Sequence, residues 1–332
     1  MAYRARMRRR VAGTVLVAGC VLAACAPPGP AQDEVVRGAK GPLHVPFTSI
    51  AAIEPMVTAP NSSPPGANDY SCRPSEEHPR PVVLVHGLTQ TRAFWRTASP
   101  LLKNNGYCVF AITYGQPPDA PGIGGMTSIE SSAHQLVSFI DEVLEATGAT
   151  EVDLVGHSEG TVMPQYYLKR LGGADRVKRY VAITPLYDGS TGWGVDRLIN
   201  GLEALPHGVG QRFRDFFETA CGACRDALHG STFHQELYAE GVKAVPGVEY
   251  TTILSSIDEI VTPWQSGILD APNATNHVLQ DGCAQDRSEH LAAAVSPRAM
   301  GIMLNALDPD HAVEPPCVPT VYALGYLERP TN

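Results

Sequence analysis

The sequence is short of positive charge. Lys and Arg together number 25 against 34 Asp and Glu, which gives a formal net charge of −9 at pH 7. Five arginines and no acidic residue lie within the first ten positions, so the chain after residue 24 carries a formal charge of −14. A chain this acidic repels phosphate backbones and anionic headgroups. The composition therefore argues against nucleic acid as a partner.

The sequence also lacks the usual patterns of cofactor and metal sites. It contains no glycine-rich phosphate loop, no metal-ligand spacing and no internal repeat. Its one CxxC motif, at 221–224, could be a redox pair or half of a metal site. No second CxxC and no thioredoxin-like unit accompany it. We therefore expect a short structural loop there, and neither a metal nor a cofactor.

Long hydrophobic runs are absent except near the start. Arginines precede an apolar segment at 11–24 and a proline-rich stretch follows, a pattern typical of an export signal and too short for a comfortable membrane span. Leu-Ala-Ala-Cys at 22–25 resembles a bacterial lipobox, with residues 1–24 as signal peptide and Cys25 lipidated as the mature N-terminus. Cys20 ends a weaker candidate. An ordinary secreted protein is the alternative, so we expect export, either anchored at Cys25 or released.

Six cysteines lie beyond the predicted signal. An even number of cysteines in an exported chain indicates disulfide bonds. Sequence alone cannot choose among the possible pairings, but proximity along the chain favours three of them. These are Cys72 with Cys108, Cys221 with Cys224, and Cys283 with Cys317.

Two regions follow the signal. Residues 25–69 are rich in Pro, Gly and Ala, and we expect a tether followed by an irregular lead-in that lies on the domain. From 70 to 332, strand-like and helical segments alternate, which predicts an α/β domain with a mostly parallel central sheet and helices on both faces. The predicted strands are 82–85, 108–112, 152–155, 180–183, 250–254 and 277–279.

The two clearest helices are expected at 128–147 and 297–307. Thr127 and Glu130 suggest a capping box at the start of the first helix, and Gly148 suggests its end. Ser296 is the expected N-cap of the second helix.

A catalytic motif lies between a predicted strand and a helix-forming segment. The strand at 152–155 leads into Gly-His-Ser-Glu-Gly at 156–160. This Gly-x-Ser-x-Gly pattern is typical of a nucleophile elbow, a sharp turn that lifts the serine hydroxyl clear of the backbone. Gly156 and Gly160 are needed because a Cβ would collide where strand and helix pack closely. Ser158 is therefore the predicted nucleophile.

A serine nucleophile needs an imidazole to take its proton and a carboxylate to orient that imidazole. In sites of this type the partners follow in the order serine, acid, histidine, each in a loop after a strand. Asp258 comes just after the predicted strand at 250–254 and is the preferred acid. Its rivals are Glu259, directly beside it, and the more distant Asp281.

Three histidines follow the predicted acid. His290 is the preferred base because it lies in the loop between the last predicted strand and the last helix. His277 falls within or at the start of a strand, where a half-buried structural role is expected. His311 lies in the proline-rich tail.

The oxyanion that forms on acyl attack needs preorganised N–H donors. We expect one to be the backbone N–H of Glu159, directly after the nucleophile, and the other to be that of Leu88, after the strand at 82–85. His86 and His157 flank these two turns. We expect them to brace the turns by hydrogen bonds and not to bind metal.

Several segments together resemble the class 2 lipases, a family of esterases and lipases in the α/β-hydrolase superfamily. They are Pro-Pro-Gly-Ala-Asn-Asp (64–69), Pro-Val-Val-Leu-Val-His-Gly (81–87), Asn-Asn-Gly-Tyr-Cys-Val-Phe (104–110), Val-Asp-Leu-Val-Gly-His-Ser (152–158), Asp-Glu-Ile-Val-Thr-Pro (258–263) and Ser-Glu-His-Leu (288–291). The resemblance implies an α/β-hydrolase fold, with the family's nucleophile, acid and base falling on Ser158, Asp258 and His290. The family usually has a neutral residue where this chain has Glu159. We expect a carboxylate to be tolerated there because a helix N-terminus favours negative charge.

The stretch between the predicted strands that end at 183 and begin at 250 is longer than a simple crossover needs. Its apolar residues predict either an ordinary crossover helix or a helical cap over an acyl pocket, at about 186–247. The residues concerned are Val195, Leu198, Ile199, Leu202, Leu205, Phe213, Phe216 and Phe217. Trp264, next to the acid loop, could line the pocket or belong to the core.

These features favour a serine hydrolase that cleaves carboxylic esters of apolar acids, a lipase or an esterase, through an acyl-enzyme on Ser158. The expected partners are a lipid or another apolar ester as substrate and, through the anchor at Cys25, a membrane. An acyltransferase would share the same acyl-enzyme and is an alternative. A non-catalytic binding lipoprotein is a weaker one, since it predicts a broken triad.

Overall fold

A computed structural model describes residues 35–192, 220–241 and 243–327 of the chain. Its strands are β1 (Val82–Val85), β2 (Val109–Ile112), β3 (Val152–His157), β4 (Val177–Ile183), β5 (Glu249–Leu254) and β6 (Ala274–Val278). The α-helices are α1 (Ser49–Thr58), α2 (Ala98–Asn104), α3 (Ile129–Thr147), α4 (Met163–Arg170), α5 (Thr232–Leu237) and α6 (Pro297–Leu307). Within those described ranges, no helix has the combined length and apolarity that a membrane crossing requires.

The strands form one sheet in the order β2–β1–β3–β4–β5–β6, and every neighbouring pair is parallel. Each predicted strand is present, with differences of two or three residues at an end of β3, β4 and β6. From β1 the chain first adds β2 on one side and then returns to place β3 on the other. The strand order therefore reverses between β1 and β3, where a crevice forms at the carboxyl ends of the strands. The predicted α/β-hydrolase fold is confirmed.

Apolar side chains cover both faces of the sheet. On one face, Leu84 of β1 belongs to a buried cluster with α2 and α6. On the other face, Val83 belongs to a cluster with α3 and α4. Because the sheet is buried on both faces, β1 reads as a continuous apolar run, with all four of its side chains inaccessible to solvent.

The helix ends follow the sequence signals with one correction. Gly148 ends α3 in the left-handed conformation, with φ 74°, and the Ser296 hydroxyl caps α6 by accepting from the Ala299 N–H. The predicted capping box with Thr127 is wrong. The N-cap of α3 is Ser128, whose hydroxyl accepts from the Ser131 N–H at 3.3 Å, one residue closer to the helix.

The lead-in segment also differs from the expectation of an irregular path. Residues 35–47 already contribute to the core, where Val35, Val45 and Phe47 are buried. Helix α1 follows, capped by the Thr48 hydroxyl, which accepts from the Ala51 N–H. The prolines and glycines on either side conceal this ten-residue helix in the sequence.

Three disulfides join the six cysteines in the order that proximity favoured: Cys72 with Cys108, Cys221 with Cys224, and Cys283 with Cys317. The first bond ties the segment before β1 to the start of β2. The third ties the loop after β6 to the chain beyond α6.

The predicted cap region is described only at its two ends. The eight apolar and aromatic residues that suggested a cap, from Val195 to Phe217, lie outside the described residues. The two described ends of this region are hydrogen-bonded to each other. The Ser190 N–H donates to the Ala227 carbonyl, and the His229 N–H donates to the Ser190 carbonyl.

Candidate active site

Ser158 occupies a strained turn directly after β3. Its φ is 55°, a left-handed conformation that is uncommon for a residue with a Cβ, and a 3-10 turn leads from it towards α4. A Cβ on Gly156 would overlap the carbonyl of Gly160, and a Cβ on Gly160 would overlap the Val85 and His86 carbonyls. These neighbours are backbone atoms and cannot move aside. The predicted requirement for both glycines is therefore confirmed.

The fold brings Ser158 together with the predicted base and acid. His290 Nε2 lies 2.9 Å from Ser158 Oγ. His290 Nδ1 lies 2.9 Å and 3.1 Å from the two carboxyl oxygens of Asp258. The side chains of His290 and Asp258 are 8% and 3% exposed, so the ion pair that would form on proton transfer is shielded from water. This arrangement can transfer the Ser158 proton to His290.

Backbone donors hold the acid in place. Asp258 Oδ1 accepts from the N–H groups of Ile260 and Val261 at 2.9 and 2.8 Å. The loop that carries Asp258 is bonded to the loop that carries the base, because the Ser255 hydroxyl donates to the Ser288 carbonyl at 2.7 Å. The carboxylate is thus oriented before any substrate binds.

The alternative candidates for the acid and the base either lie away from Ser158 or make other contacts. Glu259 Oε2 accepts from the backbone N–H of His290 at 3.5 Å, whereas the His290 ring nitrogens contact Asp258 and Ser158. Asp281 is exposed in the loop after β6. His277 lies on β6, where burial lowers its pKa, and lines a separate cavity near the start of β4. His311 is exposed and pairs with Asp308.

His86 and His157 brace the two turns, as expected. His86 Nδ1 donates to the Gly87 carbonyl at 2.8 Å, and its Nε2 accepts from the Tyr114 N–H. His157 Nε2 lies 3.0 Å from the backbone carbonyl of His290. Burial lowers the pKa of His86 to about 4 and that of His157 to about 3, so both rings are neutral at pH 7. Nowhere in the described part of the chain do three or more His, Cys or carboxylate side chains group as a metal site would require.

The two expected oxyanion donors border the same cavity as Ser158. Leu88 and Glu159 both line it, and no described residue accepts a hydrogen bond from the backbone N–H of either. Gln90, which sequence reasoning missed, supports the first donor. Its Oε1 accepts from the Gly87 N–H at 2.8 Å and lies 3.2 Å from His157 Nδ1. A loop glutamine carries no sequence signal that predicts such a role.

The side chain of Glu159 departs from expectation. It is 1% exposed, and among the described residues neither carboxyl oxygen has a hydrogen-bond partner by distance and angle. The Tyr114 hydroxyl faces it but donates to the His86 carbonyl at 2.6 Å. Burial, and then the charge of Asp226, raise the pKa of the Glu159 carboxyl well above its ordinary value. Desolvation thus opposes the charged form of this group, against the favourable effect expected from the helix N-terminus.

A cavity of about 600 Å³ opens beside Ser158 and His290. The apolar part of its lining includes Leu88, Leu186, Leu228, Ile260, Leu291 and Ala323. A cavity of this size and character can hold an apolar group of several carbon atoms next to the nucleophile. Trp264 is not among the lining residues and instead borders a separate small gap together with Asp258 and Val261.

The sequence profile of the class 2 lipases matches residues 79–299. A triacylglycerol lipase of Pseudarthrobacter phenanthrenivorans is 35% identical over 94 residues, which cover 26% of this chain and 27% of that protein. The gastric triacylglycerol lipase of Bos taurus is 30% identical over 146 residues, which cover 39% of this chain and 36% of that protein. The matches thus span between about a quarter and about a third of these relatives' length.

The fold has a counterpart among solved structures. Aspergillus fumigatus lipase B superposes with a TM-score of 0.50 over 76% of this chain and 61% of that one, at 17% sequence identity. At that level of identity the likeness concerns the fold alone.

Proposed function

The chain belongs to the class 2 lipase family, and we propose that it is a carboxylic ester hydrolase that cleaves esters of apolar acids. The observation that carries this proposal is the 2.9 Å contact between Ser158 Oγ and His290 Nε2, with Asp258 bonded to the other ring nitrogen. A serine hydroxyl is a weak nucleophile at neutral pH, and this contact supplies the base that activates it.

The reaction follows from the positions of the three side chains. His290 takes the Ser158 proton as Oγ attacks the ester carbonyl carbon, and Asp258 stabilises the imidazolium. The N–H groups of Leu88 and Glu159 bind the resulting oxyanion. When the C–O bond to the alcohol breaks, His290 returns its proton to the leaving alkoxide, which leaves an acyl-enzyme on Ser158. His290 then takes a proton from water, which attacks the acyl carbonyl carbon. The bond from that carbon to Ser158 Oγ breaks, His290 returns the proton to Oγ, and the acid is released.

The apolar lining of the cavity supports a substrate whose acyl group is apolar. Leucine, isoleucine and alanine side chains supply most of its surface beside Ser158. Burying an alkyl chain there removes apolar surface from water, which contributes about 0.8 kcal/mol per methylene group. The relatives named triacylglycerol lipase agree with a lipid ester as the substrate class.

Export and anchoring are part of the same proposal. Three disulfides are typical of proteins outside the reducing cytoplasm. The arginine-rich start and the lipobox-like 22–25 support a signal peptide and lipidation at Cys25. The anchored protein would then meet esters outside the cell.

The test is a series of p-nitrophenyl esters, from acetate to palmitate, offered to the parent and to Ser158→Ala. We expect hydrolysis by the parent and a loss of roughly 10⁴–10⁶-fold in the variant, with its fold unchanged. A fluorophosphonate probe should label the parent and not the variant. Ser131→Ala, which removes an exposed hydroxyl on α3, is the matched control and should behave as the parent. Retention of most activity in Ser158→Ala would overturn the proposal.

A further inference from the structure

The carboxyl group of Glu159 lies beside the loop that carries Leu88, the first of the two expected oxyanion donors. A Cβ on Gly125 would come within 2.5 Å of Glu159 Oε2 and within 3.1 Å of both the Gly87 carbonyl oxygen and Leu88 Cα. The carboxyl and the loop therefore share one narrow space, which is open because Gly125 has no side chain. Any movement of the carboxyl is thus felt next to the backbone of Leu88.

Tyr114, which follows β2, links the same loop to Glu159. Its hydroxyl donates to the His86 carbonyl at 2.6 Å, and its ring stacks on the His86 ring with the centroids 4.2 Å apart. A carbonyl oxygen only accepts hydrogen bonds, so the single phenolic proton points to His86. The Glu159 carboxyl faces this hydroxyl from another side. Towards the carboxyl, Tyr114 Oη can therefore act only as an acceptor.

An acceptor on Tyr114 calls for a donor on Glu159. An ionised carboxyl group has no proton to give, whereas a neutral one carries an O–H. The Glu159 side chain is 1% exposed, and no described residue donates to either of its oxygens. A buried charge without donors is costly to form, because the solvation that it loses is not replaced. The surroundings of Glu159 therefore favour the neutral acid.

The charges around Glu159 act in the same direction. Burial, and then the negative charge of Asp226 from the segment at 220–228, raise the pKa of the Glu159 carboxyl. His86 and His157 add no positive charge at pH 7, because burial lowers the pKa of both rings. The backbone N–H of Glu159 is itself an expected oxyanion donor. A negative charge on the side chain of the same residue would oppose the oxyanion in this buried setting.

We propose that the Glu159 side chain works as a neutral carboxylic acid that positions the first oxyanion donor. Its O–H donates to Tyr114 Oη, and the Tyr114 hydroxyl donates in turn to the His86 carbonyl. This chain of hydrogen bonds fixes the loop that carries Leu88 before substrate binds. The inference rests on the proposed ester hydrolysis, because the position of the loop affects the reaction only if an oxyanion forms there.

Two substitutions at Glu159 separate hydrogen-bond donation from packing. Glu159→Gln keeps a donor for Tyr114 and cannot ionise, whereas Glu159→Met keeps an unbranched side chain of similar length without a donor. We expect kcat on p-nitrophenyl butyrate to fall by about 3-fold in the glutamine variant and by roughly 10-fold or more in the methionine variant. KM should stay within about 2-fold in both, because an oxyanion donor acts in the transition state.

Glu145→Gln and Glu145→Met, on the exposed side of α3, are the matched controls and should behave as the parent. Circular dichroism verifies that each variant is folded. Equal losses of kcat in the two Glu159 variants would overturn the proposal, since a donor would then make no difference.

Tyr114→Phe tests the other end of the chain of hydrogen bonds. Loss of the hydroxyl should lower kcat by at least as much as Glu159→Met does, again with little change in KM. Adding Glu159→Met to Tyr114→Phe should then cost less than about 2-fold more, because the bond that the second change removes is already broken. Losses that multiply would contradict the proposed chain.

Infrared spectroscopy tests the protonation state without using activity. At pH 7, the spectrum of the parent minus that of Glu159→Gln should contain the carbonyl stretch of a neutral carboxylic acid. A carboxylate band in its place, in a parent that cleaves esters, would overturn this inference alone. A parent that cleaves no ester would refute the proposed hydrolysis, whatever the infrared result.

Discussion

The three histidines around Ser158 differ in what their ring nitrogens bind. His86 and His157 are fully buried, and their rings contact backbone carbonyls in the turns that shape the site. His290 alone among them has one ring nitrogen on the serine hydroxyl and the other on a carboxylate. A base must exchange protons with substrate, so neutral rings engaged with backbone groups serve to hold the turns in place.

His290→Ala should therefore lower kcat/KM by roughly 10⁴–10⁶-fold, and Asp258→Ala by somewhat less, because a misoriented imidazole still accepts a proton part of the time. His277→Ala is the control, since that ring lies on β6 away from Ser158 and should change kcat/KM by less than about 3-fold. Steady-state kinetics on a soluble ester, with circular dichroism to verify folding, measures both. Equal damage from the two histidine variants would refute the assignment of the base.

Glu159 should make the free energy of unfolding of the parent protein decrease as the pH rises. Burial raises its native pKa above the ordinary 4.5, so the native state keeps a proton that the unfolded chain releases. Its contribution is fully present below about pH 4.5 and is lost as pH rises through the native pKa, by about 1.4 kcal/mol for each unit between the two pKa values. Glu159→Gln cannot ionise, so its free energy of unfolding relative to the parent should increase from pH 5 to pH 9.

Urea unfolding at the two pH values measures that difference. Glu145→Gln, on the exposed side of α3, is the control and should leave the pH dependence of stability unchanged. A parallel pH dependence in parent and Glu159→Gln would contradict a raised native pKa for Glu159.

The elements at the site are joined by close backbone approaches. β3, the 3-10 turn and the end of β1 meet at Gly160, where a side chain would have no room. The acid and base loops are tied by the bond from Ser255 to Ser288. Such contacts between elements hold the triad in register, and side-chain packing alone would leave it looser.

Gly160→Ala should test the meeting of β1 and β3. The new Cβ would overlap two backbone carbonyl oxygens, so we expect a loss of more than about 4 kcal/mol, or no folded protein. Gly148→Ala is the control, because Gly148 has φ 74° but open space around it, and should cost about 1–2 kcal/mol. Thermal unfolding distinguishes the two, and equal shifts in Tm would show that sterics at Gly160 are not decisive.

The cavity beside Ser158 lies at the carboxyl edge of the sheet, and the described chain begins near the opposite, amino edge. Ser158 follows the carboxyl end of β3. The described chain begins near the amino edge, where Arg37 pairs with Asp308 just after α6 and Arg179, near the start of β4, donates to the Leu307 carbonyl. A domain of this length is roughly 50 Å across. Val35 lies ten positions after Cys25 in the sequence, and a chain of that length reaches about 35 Å at most.

An anchor at Cys25 would thus keep the cavity from facing the membrane that holds it. We expect the lipidated protein on cells to hydrolyse esters in added droplets and to spare esters dissolved in its own membrane. Cys25→Ser should fold normally, appear in the medium and hydrolyse both. Fractionation and mass spectrometry of the N-terminal peptide check the anchor, and an unmodified, wholly soluble parent would refute it.

The sequence predicted much of this molecule because much of the signal is local. Strands β1 and β2 are short apolar runs, and the elbow is encoded by residues 152–160, where strand and glycines follow one another. The order of serine, acid and histidine along the chain then selected Asp258 and His290 from their rivals. Helix α1 escaped prediction because the prolines and glycines around it dominate the local pattern and because its outer side is apolar.

What only the tertiary structure decided is the environment of groups whose partners are distant in sequence. Gln90 holds the loop after β1 because the fold places it against Gly87 and His157. Glu159 is the clearest case. Its position after the nucleophile was evident from the sequence. Its ionisation depends on burial, to which the neighbouring Tyr114 and Gly125 contribute, and on the nearby charge of Asp226. Desolvation is a property of three-dimensional packing, and no local pattern of residues determines it.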